Sequence, residues 1–320
     1  VNPELLDWVA SVVGAPVRGA REHPASGRSR LIWLVEAGDR RLLLRRETGL
    51  GPFAGTEFTL AREASVLRAL AGTGVPVPEV LGVGADTVLM EELPGTADLD
   101  LATPAGRDVL VAFARTLADL HRLDPARIPL PVPGTPEEHT RLDLAAHERS
   151  YRLGPPNEVA ERALGLLAAR AAGMTPARTS VLHGDAGPGN FLHLDGRITG
   201  LIDWEMAHAG DPHDDLAWLW FRITVLRAGG ATDAVAALAL AYRAYRDASG
   251  LDPDPERIDH YCLLVLLRCL IATLTRQRNN PGGDPEPVQR MTRLVGLALD
   301  HHARTGRVTG SGPLAPLPAP

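Results

Sequence analysis

The sequence predicts an α+β chain in two parts: a small β-rich N-terminal lobe over residues 1–93, and a mainly helical C-terminal lobe over residues 94–310. Three observations carry this expectation. Short β-like runs and one good helix fill the first ninety or so residues, the breaker pair Pro94-Gly95 follows, and helical patterns dominate from about residue 96 onward.

The elements follow in order. VNPELLDWVASVVG reads as an amphipathic first helix, and its acidic residues and lack of a positive leader argue against a signal peptide. LIWLVEAGDRRLLLRR reads as strand, Gly38-Asp39 turn and strand, because two apolar runs flank a turn dipeptide. TEFTLAREASVLRALAG places apolar residues at 60, 64, 67 and 70, which is helical spacing, with Thr56 and Glu57 near its start and Gly72 just past its end. VPVPEVLGVGADTVLMEELPG reads as two more strands closing on Pro94-Gly95, a candidate hinge. Helices are expected in GRDVLVAFARTLADLHRL, LDLAAHERSYRL and NEVAERALGLLAARA, and in the long segments after residue 214. Between them FLHL and ITGLI, joined by Asp195-Gly196-Arg197, read as a hairpin. The residues 311–320, rich in proline, are expected to be a disordered tail.

With 320 residues and 45% hydrophobic content the chain can bury a real core. A net charge of −6 and the absence of any basic block argue against nucleic acid or an anionic membrane as partners, so anionic ligands must be held locally. All 33 basic residues are arginine. Cys262 and Cys269 are seven residues apart in a helical stretch, about 10 Å along its axis, too far for a disulfide. They read as reduced core residues of a cytoplasmic protein. YCLLVLLRCLIATL is interrupted by Arg268 and is short for a membrane span, so a buried helix is expected there.

The chemistry concentrates in HGDAGPGNFLHLDGRITGLIDWE, residues 183–205. The hairpin brings Asn190 roughly opposite Asp203, and the glycines and proline after Asp185 permit a sharp reversal beside them. A few hard oxygen ligands suit Mg2+, which keeps several waters and shares its shell with phosphates. Phosphoryl transfer needs a carboxylate for the attacking hydroxyl, an amide and a second carboxylate for the metal, and a cation for the phosphates. The protein-kinase catalytic loop has the form HRD, four residues, Asn, then a metal-binding Asp beyond a hairpin; His183, Gly184, Asp185, Asn190 and Asp203 reproduce that order and spacing.

HGDAGPGN followed by IDWE resembles the aminoglycoside phosphotransferase family, small-molecule relatives of protein kinases. LLLRRE, AREASVLRAL, VPVPEVLG, LMEELPG and LADLHRLD resemble it in order, over most of residues 20–225. IDWEMAHAGDPHDDLAWL looks closest to the branch that includes kinase domains fused to acyl-CoA dehydrogenases. The resemblance implies a two-lobed protein-kinase-like fold and an ATP-dependent O-phosphotransferase, GTP being possible as donor. The acceptor would be a small-molecule hydroxyl, either an aminoglycoside-like antibiotic or a hydroxylated metabolite or acyl compound. By position Asp185 is the implied catalytic base, Asn190 and Asp203 the magnesium ligands, and Arg45 the phosphate-holding cation where the family has lysine. Ser26, Gly27 and Ser29 fall in the phosphate-covering loop, and Glu91 and Leu93 in the linker that meets the base. Glu63 stands out independently: at i+3 from Leu60 and i−4 from Leu67 it lies inside an apolar stripe, where a carboxylate needs a partner, and Arg45 is the one expected. Gly184 and Glu205 depart from the protein-kinase pattern, and no long activation segment follows Asp203. Asp211 and Asp215 read as anchors of the catalytic loop or caps of the next helix.

Blander readings compete. A single Asp-Gly turn is usually structural, His121 reads as structural, and EEHTRLDLAAHE (137–148) as a solvated helix face or a substrate-binding insertion. A metal-dependent hydrolase using His183, Asp185, His208, Asp211 and His213 explains the histidines but leaves Asn190, Arg45 and Glu63 without a role. A non-catalytic nucleotide-binding pseudokinase is the other alternative, although every residue the chemistry needs is present.

Overall fold

The computed structural model describes the chain except for residues 28–29, 52–55, 132–143, 146, 172–173, 175–176, 227–230 and 319–320. Much of the 137–148 segment singled out above lies outside the described residues.

The N-terminal lobe is one antiparallel sheet with a helix on each face. Helix α1 (Pro3–Val13) is capped by Asn2, whose side chain accepts the Leu5 amide, and stops at Gly14 in the left-handed region. Strands β1 (Val17–Glu22), β2 (Arg30–Ala37), β3 (Arg40–Glu47), β4 (Val80–Val83) and β5 (Thr87–Glu91) lie in the order β1-β2-β3-β5-β4. Ala37 pairs with Arg40 across the Gly38-Asp39 turn, as the dipeptide predicts. Alternation then assigns the two faces: Leu42 and Leu44 join Val9, Trp33 and Val35 under α1, while Leu43 and Arg45 face the opposite side. There α2 (Leu60–Leu70) packs against β4 and β5. It begins at Leu60 rather than near Thr56, because Thr59 caps it through Arg62 N (3.2 Å).

The C-terminal lobe holds the larger core. Helices α3 (Pro104–His121), α4 (Glu158–Ala171), α5 (His213–Trp220), α6 (Ala231–Ser249), α7 (Pro255–Asn279) and α8 (Glu286–Thr305) surround two short sheets. One pairs β6 (Ser180–Leu182) with β9 (His208–Gly210), and the other is the hairpin β7 (Phe191–Leu194) and β8 (Arg197–Leu201). By length and composition α7 is the one described helix apolar enough to cross a membrane, but 78% of its most apolar window is buried against the other helices. It is a core helix, which explains the interruption at Arg268: that guanidinium is buried and grips the Asp214 carboxylate at 2.6 and 2.8 Å.

One sequence expectation is located and one is corrected. Pro94-Gly95, the candidate hinge, lies at the crossover between the lobes, and just beyond it Thr96 exchanges backbone hydrogen bonds (3.0 and 2.9 Å) with His193 of the hairpin. Gly95 is required there: at φ +114, an added Cβ would lie 2.5 Å from the His193 carbonyl oxygen. The tail from residue 311 is not disordered across its described part. Leu314 is fully buried, Ser311 and Leu314 pair, and the Trp220 indole donates to the Ala315 carbonyl at 2.9 Å. A proline-rich strap has few backbone donors to satisfy, so it can lie in a groove once its apolar residues find one.

Candidate active site

A cleft of about 820 Å3 separates the inner face of the N-terminal sheet from the β7–β8 hairpin. Its walls are apolar toward the crossover (Leu34, Met90, Leu93, Leu192) and charged toward its other end (Arg30, Arg45, Glu63, Asn190, Asp203, Glu205).

The catalytic loop His183–Asn190 is positioned by buried groups beneath it. Asp215, in the first turn of α5, accepts the amides of His183 (2.8 Å) and Gly184 (2.9 Å) and the His121 imidazole (3.0 Å). Burial would raise its pKa, but His121 outweighs that and holds the carboxyl below its usual range. Gly184 has φ +81, and a Cβ there would sit 2.1 Å from the Met206 carbonyl, so only glycine fits. Asp211, just before α5, accepts the His213 amide (3.0 Å) on Oδ1 and the Ala177 amide (2.9 Å) on Oδ2.

Asp185 and Asn190 meet. The Asn190 amide nitrogen donates to the Asp185 carbonyl and to its Oδ2, both at 2.8 Å, so Oδ1 of Asn190 is turned away and remains an acceptor. Burial pushes the Asp185 pKa up, and Arg222 opposes the shift. At the open end of the hairpin Ile202 N donates to Asn190 O (3.0 Å), one residue short of the pairing expected for Asp203; the bulge at Leu192/His193 adds a residue to β8 and so brings Ile202, rather than Leu201, opposite Asn190. Asp203 itself adopts φ +67, ψ +59, an uncommon conformation for a non-glycine residue that turns its backbone out of the hairpin.

Arg45 reaches across from β3. It pairs with Glu63 at 2.6 Å, as the buried carboxylate demands, and with Asp203 Oδ1 at 3.2 Å. Glu63 also accepts the Trp204 amide (3.1 Å), which joins α2 to the strand end carrying Asp203. Arg46 points to the other face and pairs with Asp86 at 2.7 Å. Burial disfavours charge on Arg45, but Glu63 and Asp203 outweigh it and raise its pKa.

The remaining residues expected at the site divide. Glu91 and Leu93 line the cleft, although the Glu91 amide is engaged by Glu79 O at 2.9 Å. In the covering turn, Ser26 Oγ accepts the Ile32 amide (3.2 Å) and the Gly27 amide donates to Arg30 O (2.8 Å). Those groups close the turn on itself rather than presenting to a ligand. Gly27 still borders the cleft, and Ser29 lies outside the described residues.

Three further charged residues stand at the site without a role in the motif reading, which noted Glu205 only as a departure from the protein-kinase pattern. Arg30 bonds Asp203 at 3.2 Å and also pairs with Glu205. Strand alternation holds its signal, since Arg30 shares a face with Ile32, which is paired with Arg45. Glu205 is pushed up to about 8, chiefly by burial and then by Asp203. Arg222 donates through Nε to Asp185 Oδ1 (2.9 Å) and through Nη2 to Oδ2. It stands seven residues after Asp215, on the same helical face.

Asn190 and Asp203 carry oxygen donors of the kind a hard divalent cation takes, and Asp203 Oδ1 is shared here by Arg30 and Arg45. The hydrolase arrangement is not formed. His183 bonds Ile202 O, His208 pairs with Asp214 and His213 with Asp211, and among the described residues no group of three or more His, Cys, Asp or Glu side chains is placed to hold a metal.

A five-stranded antiparallel lobe over a helical lobe, with Asn190 and Asp203 lining the cleft between them and Asp185 bonded to Asn190, defines the protein-kinase-like phosphotransferase fold. The model of the phosphotransferase enzyme family, APH, matches residues 21–261, and the chain belongs to that family. Among solved structures, aminoglycoside phosphotransferase APH(4)-Ia, in a ternary complex with ADP and hygromycin B, superposes with a TM-score of 0.67 at 18% identity, covering 94% of this chain and 99% of that one. Macrolide 2'-phosphotransferase MphH from Brachybacterium faecium gives 0.63 at 21% identity, covering 91% and 97%. Curated relatives include acyl-CoA dehydrogenase family member 11 of Gallus gallus (27% identical; 61% of this chain, 27% of the relative) and member 10 of Mus musculus (26%; 60% and 19%). The chain thus spans about a quarter or less of the length of these relatives.

Proposed function

We propose that the protein is an ATP-dependent O-phosphotransferase that moves the γ-phosphate of ATP, or of GTP, to a hydroxyl of a small molecule. The observation that carries this reading is the single constellation of Asp185 bonded to Asn190, with Asp203 facing the Arg45–Glu63 pair across one cleft. The apolar end of the cleft suits a purine, and its charged end suits the phosphates. Nucleotide complexes of a related fold, with ADP and hygromycin B, support a nucleotide donor and a hydroxyl-bearing acceptor.

Arg45, fixed by Glu63, holds the phosphates. Arg30 shares Asp203 with Arg45 and supplies a second guanidinium at the same end. Asn190 and Asp203 would hold magnesium, which supplies charge neutralisation for the transferring phosphoryl group. Asp185 accepts the acceptor's hydroxyl proton as its oxygen attacks phosphorus, with the nucleoside diphosphate leaving in line. The acceptor classes this reading admits are aminoglycoside-like antibiotics and hydroxylated metabolites or acyl compounds.

Asp185→Asn keeps the shape and removes the base. It should retain nucleotide binding and lose roughly a hundredfold or more in kcat, on the scale of a lost acid–base group. Release of ADP from Mg·ATP, with water or a hydroxyl compound as acceptor, reads this directly. Equal turnover by the variant and the wild type refutes the assignment, and no turnover by either favours a pseudokinase.

A further inference from the structure

Helix α5 touches the catalytic loop at two places. Its first turn carries Asp215, which holds the His183 and Gly184 amides. It then continues into a π-helical segment, Phe221–Val225, where the Leu226 amide donates to Phe221 O at 3.1 Å. Arg222 lies in this segment, and single π turns re-aim the side chains they carry. From there its guanidinium meets the Asp185 carboxylate edge to edge, Nε on Oδ1 at 2.9 Å and Nη2 on Oδ2.

The loop is shaped to admit this side chain. A Cβ at Gly187 (φ +145) would lie 2.9 Å from Cβ and Cγ of Arg222, and one at Gly189 (φ +101) would lie 3.4 Å from Nη1. The glycines of AGPG therefore serve the passage of Arg222 as well as the chain reversal. The carboxylate geometry is then nearly saturated. Of about four lone-pair directions on a carboxylate, Arg222 takes two and the Asn190 amide a third, on Oδ2. One direction remains, and it is on Oδ1.

We propose that Arg222 is a positioning residue of the phosphoryl transfer: it clamps Asp185 from α5 so that Oδ1 alone is presented to the acceptor hydroxyl. This rests on the phosphotransferase reading of the cleft. In the step, the acceptor O–H bond breaks with its proton passing to Oδ1, the new O–P bond forms, and the bond to the departing diphosphate breaks. A fixed carboxylate plane matters because misplacement of a catalytic group by about 1 Å can cost about a hundredfold in rate. A lysine in the same place carries the charge but not the planar fork.

The test compares wild type, Arg222→Met, Arg222→Lys, Arg222→Ala and Asp185→Asn in the intact chain. Mg·ATP binding is measured by calorimetry, and ADP release by a coupled assay with water as acceptor. The expected result is ATP affinity within about twofold of wild type for both Arg222 variants, with kcat down roughly tenfold or more in Arg222→Met and partly restored in Arg222→Lys. Guanidinium ion at millimolar concentration should recover part of the rate in Arg222→Ala, an effect a merely structural contact would not give. Should Arg222→Met fold poorly, Arg222→Lys carries the test alone with an intermediate rate. Rates equal to wild type in both variants, or rate losses that only track lost ATP affinity, overturn the role of Arg222 while leaving the phosphotransferase reading in place. Wild type no faster than Asp185→Asn overturns that reading, and the positioning role with it.

Discussion

Asp215→Asn isolates the anchoring of the catalytic loop from its chemistry, because Asp215 does not line the cleft and is fully buried. Its Oδ1 accepts the Gly184 amide (2.9 Å), and its Oδ2 accepts the His183 amide (2.8 Å) while meeting the His121 imidazole (3.0 Å). Asparagine has the same shape but one acceptor oxygen. Placed to keep His183, its NH2 opposes the Gly184 N–H; placed the other way, it opposes His183. Either orientation leaves a buried amide unsatisfied, at about 1–3 kcal/mol, and weakens charge-assisted bonds worth about 1.5–3 kcal/mol each. A loss of about 3–5 kcal/mol is expected in denaturant unfolding, together with a fall in kcat although Asp185 is untouched. The same carboxylate carries a pH signature. Its pKa is depressed in the folded protein, so its contribution is present above the ordinary value of 3.8 and is lost as pH falls through the folded value. Wild type should therefore lose stability in acid more steeply than Asp215→Asn. A variant within about 1 kcal/mol of wild type, with turnover within about twofold, would refute this anchoring role.

Two further perturbations follow from the same structure. Arg45→Met leaves Glu63, 2% exposed, with only the longer Arg30 contact at 3.6 Å, and should cost up to about 3 kcal/mol in unfolding and most of the ATP affinity, with Arg45→Lys intermediate; calorimetric ATP titration and denaturation check both. Truncation after Gly310 removes the buried Leu314 and orphans the Trp220 indole, for an expected loss of about 3 kcal/mol, whereas an unchanged unfolding midpoint would contradict the docked tail.

Local patterns carried the elements well because each rests on a short-range rule. The Gly38-Asp39 hairpin, the stripe of α2 with Glu63 inside it and the β7–β8 hairpin all follow from periodicity and turn chemistry. Asp185, Asn190 and Asp203 were legible because their spacing is local. Arg222 was not, since its role depends on how α5 packs across the loop and on a π turn that periodicity does not announce. Arg30 was hidden for a related reason, standing beside a turn whose glycine and serine drew attention instead. The tail misled because composition reports the cost of ordering a proline-rich segment but not the groove that receives Leu314 and Ala315.

The measurement that bears most directly on the central claim is the unfolding temperature with and without magnesium and ATP or GTP, for wild type and Asp203→Ala. A ligand at a hundred times its dissociation constant stabilises the fold by about 2.7 kcal/mol, a readily seen shift. A magnesium-dependent rise with nucleotide in the wild type, lost in Asp203→Ala, is the predicted result. No shift with either nucleotide at millimolar concentration, or an equal shift in both proteins, would contradict it.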